Sequence, residues 1–343
     1  MNPNIPNILL IYTGGTIGMI KDFESGALKA FNFKKLLKHI PELKLLHCHI
    51  ETISFEEPID SSDMNPLLWA QLGNIIHDHY HDFDGFVVLH GSDTMSYTAS
   101  ALSFMFENLQ KPVICTGSQL PIGDLRTDAK ENVITAIQLA ALQYQEKPVI
   151  KEVGLYFEYK LLRGNRTSKM NAAHFEAFRS YNYPPLAVSG VKLVVNHKDL
   201  LKPDLNKKLF YKDQFCTEVI IIRLFPGISK EITTEMMLHS KVRGVIIETF
   251  GAGNALTAEW FVTVLKELKE REIPVINCTQ CKMGEVNMKA YETGKHLLQY
   301  GVISGKDITI ESAIVKLMFL LSQNLSYKQF KTKYEKSLRG EML

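Results

Sequence analysis

The first residues able to do covalent chemistry are two hydroxyls in a glycine-rich turn, Thr13-Gly14-Gly15-Thr16-Ile17-Gly18. A threonine hydroxyl is a weak nucleophile until a neighbouring base activates it. The stretch lacks the Gly-Lys-Ser/Thr ending of a phosphate loop and the Gly-x-Gly-x-x-Gly turn of a dinucleotide site. Taken alone, it fits a tight turn with a capping threonine as well as it fits a catalytic turn. A second stretch, His90-Gly91-Ser92-Asp93-Thr94, places three polar residues directly after an apolar run. One of them would suffice to cap a helix. Thr116-Gly117-Ser118-Gln119 and Asp60-Ser61-Ser62-Asp63 add further hydroxyls, carboxylates and backbone N–H groups, without a set of metal ligands.

These stretches matter if they converge on one crevice, which they would do if the strands that lead into them are neighbours. In open parallel sheets, ligands bind beyond the carboxyl ends of the strands. Ile8–Tyr12 reads as a strand running into the first stretch, and Phe86–His90 as one running into the second. His49–Ser54, Pro112–Thr116 and Val153–Phe157 read as further strands. Asn65–His79, Thr94–Leu109 and Asp128–Leu142 carry helical periodicity, with Leu68, Leu72, Ile75 and Ile76 on one stripe. This alternation predicts an α/β fold with a mostly parallel sheet flanked by helices.

Val191–Asn196 fits another strand, and the rhythm then breaks in a Lys-, Asp- and Asn-rich stretch. Alternation resumes with strands at Val219–Arg223, Gly244–Phe250 and Val275–Asn277, and helices at Glu231–Ser240 and Ala258–Arg271. Two helices, near Lys289–Tyr300 and Thr309–Ser322, are predicted to close the chain. The expected organisation is a larger N-terminal catalytic α/β domain over 1–196, a linker over 197–215 and a smaller parallel α/β domain over 216–343.

Composition agrees. The chain has 343 residues, beyond the roughly 250–300 at which one core usually splits. A net charge of +2 without a long basic run argues against a nucleic-acid or membrane-surface partner. Met1–Pro6 does not open a signal peptide, and no apolar run approaches the roughly 18 residues of a membrane span. The five cysteines are odd in number and scattered, which fits a reducing, cytoplasmic setting.

In these stretches the chain resembles the bacterial type I L-asparaginases, a threonine amidohydrolase family. Thr13–Gly18, Asp60–Met64, His90–Met95 and Arg163–Lys169 carry the likeness, in family order and spacing. Phe250-Gly251-Ala252-Gly253-Asn254, Thr279-Gln280-Cys281 and Leu338-Arg339-Gly340-Glu341 extend it almost to the end.

The resemblance implies that Thr16 is the nucleophile that becomes acylated. It implies that Ser92, Asp93 and Lys169 form a second catalytic cluster. Gly15, Asp60, Ser61, Ser62, Gly91, Ser92, Asp93 and Ser118 would line the substrate. The implied reaction is L-asparagine plus water giving L-aspartate and ammonia, with no cofactor and no metal, in a homodimer or homotetramer. The chemistry is coherent. A lysine can act as base if its surroundings lower its pKa, Asp93 suits the substrate ammonium, and N–H groups near Gly117 and Ser118 suit an oxyanion.

Three departures stand out. The family's second threonine is Ser92 here, which loses the methyl that restricts χ1. The loop tyrosine frequent in bacterial members is missing around Gly26-Ala27-Leu28, and Tyr12 lies on a strand. Some members bind a second, regulatory asparagine beside an arginine; that position is Glu248 here.

Other clusters read as structural. His77, His79 and His81 end a helix without the supporting shell of a zinc site, and Cys278 and Cys281 have no second cysteine pair. The enzymatic rivals are a broader asparaginase/glutaminase and an amidotransferase subunit, which would place a further domain before the strand at Ile8. A non-catalytic amino-acid sensor would be expected to lack Thr16 or Lys169.

Overall fold

The computed structural model describes residues 5–21, 28–30, 40–289 and 292–343. It divides into two compact units, one reaching Asp213 and the other starting at Gln214.

The first unit is built on strands β1 (Asn7–Gly14), β2 (His49–Ile59), β3 (Gly85–Leu89), β4 (Val113–Thr116), β5 (Val153–Phe157), β6 (Lys160–Arg163), β7 (Ala187–Val188) and β8 (Val194–Val195). Its helices are α1 (Pro66–Asp78), α2 (Met95–Met105) and α3 (Ala129–Ala140). The sheet order is β8-β7-β6-β5-β4-β3-β1-β2. Strands β2, β1, β3, β4 and β5 run parallel, and β6, β7 and β8 each pair antiparallel to the strand before them. The antiparallel end has the simplest of causes: Glu158 and Tyr159, both at positive φ, turn β5 straight back into β6, which leaves no room for a crossover helix.

β3 is buried along its whole length, as a parallel strand covered on both faces must be. One core gathers Ile8, Leu10, Val87, Leu89 and Ile114 from the sheet with Val133, Ile137 and Ala140 from α3. The strand predicted at His49–Ser54 continues to Ile59. Its added residues include Glu56, Glu57 and Pro58, which have no strand signature; an edge position tolerates proline and charge. The Lys-rich stretch after 196 packs within this unit: Phe210–Tyr211 pairs with Phe106–Glu107, and Tyr211 donates to Asn74 at 2.9 Å.

The order reverses at β1. The chain leaves it for β2 on one side and returns through α1 to β3 on the other. Such a switch point opens a crevice at the carboxyl ends of the two central strands. Those ends are Thr13–Gly14 and Leu89.

The second unit has four parallel strands in sequential order: β9 (Val219–Arg223), β10 (Gly244–Thr249), β11 (Val275–Thr279) and β12 (Ile303–Ser304). Its helices are α4 (Lys230–Leu238), α5 (Glu259–Glu270), α6 (Glu292–Gln299), α7 (Ile310–Leu321) and α8 (Tyr327–Tyr334). The sequence predicted only two closing helices; α8 is a third. A capping box between Ser326 and Gln329 starts it, and only Phe330 and Tyr334 are buried. Two apolar anchors among Lys328, Lys331 and Lys333 leave too narrow a stripe to show as periodicity.

Candidate active site

Three loops from β1, β2 and β3 meet at the switch point, and glycines let them. Thr13 Oγ1 donates to the Leu89 carbonyl at 3.0 Å, tying the two central strand ends together. Gly14 and Gly15 both have positive φ, and a Cβ on Gly14 would stand 2.1 Å from the Ile59 carbonyl oxygen. A Cβ on Gly15 would stand 2.5 Å from Gly91 Cα, and one on Gly91 the same distance from Ser61 Oγ. The Gly15 and Gly91 backbones thus lie against each other, with the Ser61 side chain against Gly91, which sets Thr16 and Ser92 as flanking residues of a single junction.

Thr16 opens a 3-10 turn over Thr16–Gly18 and is partly exposed. The Tyr12 phenol reaches across this turn, so that a Cβ on Gly18 would lie 1.9 Å from its oxygen. Burial pushes the Tyr12 hydroxyl up to about 12, so at neutral pH it is a protonated strut beneath the turn. The segment around Gly26-Ala27, where the family's loop tyrosine is missing, lies outside the described residues.

The second cluster forms around Lys169. Ser168–Lys169 pairs antiparallel with Phe178–Arg179, which presents the amine to the loop after β3. Lys169 Nζ donates to Ser92 Oγ at 2.8 Å and to Asp93 Oδ1 at 2.6 Å. Ser92 is buried, whereas the Asp93 side chain is 66% exposed and can face a ligand. Thr94 occupies the N-cap position of α2 but makes no side-chain cap; its hydroxyl donates to the Ser61 carbonyl at 2.6 Å. Helix capping therefore does not account for the polar residues after β3.

Asp60 caps the following short turn, accepting from Ser62 N at 3.0 Å and Ser62 Oγ at 2.7 Å. These two bonds hold the Asp60 carboxyl below its ordinary value. Ser118 is buried and its hydroxyl donates to the Leu120 carbonyl at 2.6 Å.

Three residues near this junction had no assigned role in the sequence. Gln119 accepts from Ser92 Oγ at 3.1 Å through Oε1 and donates from Nε2 to the His174 carbonyl at 3.0 Å. Asp128 stands at the N-cap position of α3 yet makes no cap; it accepts from Gln119 N and Leu120 N instead. Burial raises its pKa, against those N–H donors and Asn132.

His90 is the third. Burial holds its imidazole down to about 4, against the bond to Gly91 that favours the charged form, so the ring is neutral at pH 7. Nδ1 lies 2.7 Å from the Gly91 carbonyl, which can only accept. Nε2 then accepts from Thr98 Oγ1 at 2.9 Å, and Thr98 accepts from Trp69 Nε1 at 3.1 Å. A strand-end polar residue followed by glycine was the visible signal for His90. Gln119 and Asp128 lie nine residues apart in a loop, and no periodicity links them.

The histidines set aside above have separate partners. His77 stacks on Tyr211 at 4.6 Å, His79 meets the Ile75 carbonyl at 2.9 Å, and His81 packs edge-on to Tyr80. Among the described residues no group of three or more His, Cys, Asp or Glu could hold a metal ion. Cys278 and Cys281 are free thiols.

The sequence matches two family models in succession: asparaginase, N-terminal, over residues 7–201, and the glutaminase/asparaginase C-terminal domain over 218–333. The chain belongs to the asparaginase family. Within it, the chain is 40% identical over 337 residues to L-asparaginase 1 of Escherichia coli K12, covering 98% of each. The crystal structure of L-asparaginase I from Vibrio cholerae superposes with a TM-score of 0.88 at 40% identity, covering 98% of this chain and 99% of the other. The thermostable L-asparaginase from Thermococcus kodakarensis gives the same TM-score at 32% identity over the same shares.

Proposed function

We infer that the protein is an L-asparaginase that hydrolyses L-asparagine to L-aspartate and ammonia. Full-length similarity to L-asparaginases supports this. The observation in this chain that carries it is the Lys169 amine within hydrogen-bond reach of both Ser92 and Asp93, beside the glycine junction that also presents Thr16.

The proposed roles rest on the family likeness, and the Lys169–Ser92–Asp93 contacts are compatible with them. Thr16 Oγ1 attacks the side-chain amide carbon, and N–H groups of the Gly117–Ser118 loop stabilise the oxyanion. The amide nitrogen gains a proton and leaves as ammonia, which leaves an aspartyl ester on Thr16. Water then cleaves the ester and restores the hydroxyl. The exposed Asp93 carboxylate pairs with the substrate ammonium, and the loop at Asp60, Ser61 and Ser62 holds its α-carboxylate. Lys169, held in place by Ser92 and Asp93, exchanges protons with the reacting groups.

The five cysteines are free thiols, and no helix among the described residues is long and apolar enough to cross a membrane. We place the enzyme in the cytoplasm as a homodimer or homotetramer, with light scattering as the check on assembly.

Ammonia release from asparagine and glutamine, measured side by side, tests the function. An added methylene displaces the amide, and a misplacement of about 1 Å costs roughly a hundredfold. Asparagine should therefore be preferred in kcat/KM, and equal values would overturn the substrate assignment. Thr16→Ala should fold normally with almost no turnover. Retention of more than about a tenth of kcat would remove Thr16 as nucleophile.

A further inference from the structure

Ser92 stands in a cluster where rotamer matters. Its oxygen must face Lys169, yet serine lacks the β-methyl that confines a threonine to few χ1 values. A serine left to itself samples three staggered positions. Resting on the role proposed for Ser92 and Lys169, we propose that Gln119 is a positioning residue that locks the Ser92 hydroxyl toward Lys169 and so replaces the restraint of the absent methyl.

The hydroxyl has one proton to donate, and it goes to Gln119 Oε1 at 3.1 Å. That bond turns a lone pair toward Lys169 Nζ at 2.8 Å. The amide cannot be turned the other way. The His174 carbonyl, 3.0 Å from Nε2, only accepts, so the nitrogen end must face it and the oxygen end must face Ser92.

The glutamine backbone is held as firmly. Gln119 N donates to both oxygens of Asp128, at 3.1 and 3.0 Å, and Asp128 is 9% exposed at the start of α3. Asn132, one turn on, donates to Asp128 at 3.1 Å and to the Gly117 carbonyl at 3.0 Å. A side chain anchored at both ends in this way can select a rotamer in its neighbour. Gln119 touches Ser92 and leaves the reacting atoms to others.

The test is a double-mutant cycle on the full-length enzyme with L-asparagine. Ser92→Ala comes first: wild-type turnover in it would remove Ser92 from the chemistry and with it the underlying assignment, whatever Gln119 does. With that established, Gln119→Met keeps the volume and removes the amide. Loss of one rotamer restraint and one hydrogen bond should lower kcat by about tenfold while KM changes less than about twofold. In a Ser92→Thr background the β-methyl supplies the restraint, and the same substitution should cost less than about threefold. Gln119→Asn withdraws the acceptor by one methylene and should show the same loss and the same rescue, which keeps the test decisive if the Met variant fails to fold. Equal losses in the Ser92 and Ser92→Thr backgrounds, or a loss confined to KM, would overturn the assignment.

Discussion

Two lysine–carboxylate pairs in this protein have the same chemistry and opposite surroundings. In the first unit, Lys169 and Asp93 are paired at 2.6 Å with side chains 18% and 66% exposed. In the second, Lys316 of α7 pairs with Glu341, and both side chains are 0% exposed. The Lys316 ammonium also donates to the carbonyls of Tyr334 at 2.8 Å and Lys336 at 2.7 Å, which uses all three of its hydrogens. Glu341 accepts in turn from the backbone N–H groups of Leu338 and Arg339. The buried pair is saturated and fastens the C-terminal segment onto α7 and α8. The open pair keeps a hydroxyl, Ser92, as its third partner and a carboxylate facing outward. Access and an unsaturated partner list, more than the ion pair itself, distinguish the lysine proposed to be reactive from the structural one.

Methionine at each lysine should break the two pairs in opposite ways. Lys169→Met should lower kcat by about a thousandfold or more, with Tm within about 2 °C of wild type, because the Asp93 carboxylate it leaves behind is largely solvated and such pairs contribute only about 0–1 kcal/mol to stability. Lys316→Met leaves the Glu341 carboxylate buried without its cation. Losses of that kind run to about 3–5 kcal/mol, or roughly 5 °C in Tm for a protein of this size. The surviving folded molecules should keep kcat within about twofold. Kinetics and thermal melts on both variants check the crossed pattern. Turnover above about a tenth of wild type in Lys169→Met, or an unchanged Tm in Lys316→Met, would erase the contrast.

Acid sharpens the same comparison at smaller cost. Burial by itself would raise the Glu341 carboxyl, but Lys316 and the N–H groups of Arg339 and Leu338 outweigh it and hold it below its ordinary value. A carboxyl depressed on folding contributes stability that is complete above its unfolded value, near 4.5, and is lost as pH falls through the lower folded one. The Tm of the wild type should therefore drop more steeply below about pH 4.5 than that of Glu341→Gln, which carries no such group. Parallel curves for the two proteins would mean that the clasp is not held by this charge.

The open site was far more legible in the sequence than the buried clasp. Thr16, Ser92 and Asp93 follow directly on apolar strands, where periodicity stops and glycine begins, and strand ends are where parallel sheets bind ligands. Lys169 came from family likeness alone, because a two-residue strand has no pattern to read. Gln119 and Asp128 escaped for a related reason. Their bonds cross a loop whose path is set by α3 and the end of β4, and loop geometry is not encoded in spacing. In the second unit strands β9 to β11 and helices α4 to α7 show by apolar pattern, the two-residue β12 does not, and Lys316 looks like the polar face of an amphipathic helix. Its burial depends on the chain returning over it at Ser337–Leu343, a contact that no local signal announces.

A third ion pair lies between the two extremes and should have the smallest effect. Glu248, at the end of β10, is 13% exposed and stands 3.7 Å from the 63% exposed guanidinium of Arg223 on β9. Its backbone carbonyl accepts from Leu224 N at 3.0 Å and Gln280 Nε2 at 2.9 Å, so the residue is fixed in place. The family likeness sets an arginine here in members that bind a second, regulatory asparagine. A carboxylate reverses that charge, and two carboxylates a few ångströms apart repel by about 1 kcal/mol in water and by more when partly buried. An effector bound that weakly to either state shifts a two-state equilibrium little. Rate against asparagine concentration should be hyperbolic, with a Hill coefficient of about 1 in both the wild type and Glu248→Ala. The rival arrangement has Glu248 take the effector's ammonium, with Thr279 and Cys281 alongside. It requires a sigmoidal wild-type curve that becomes hyperbolic in Glu248→Ala, and that single pair of curves decides between them.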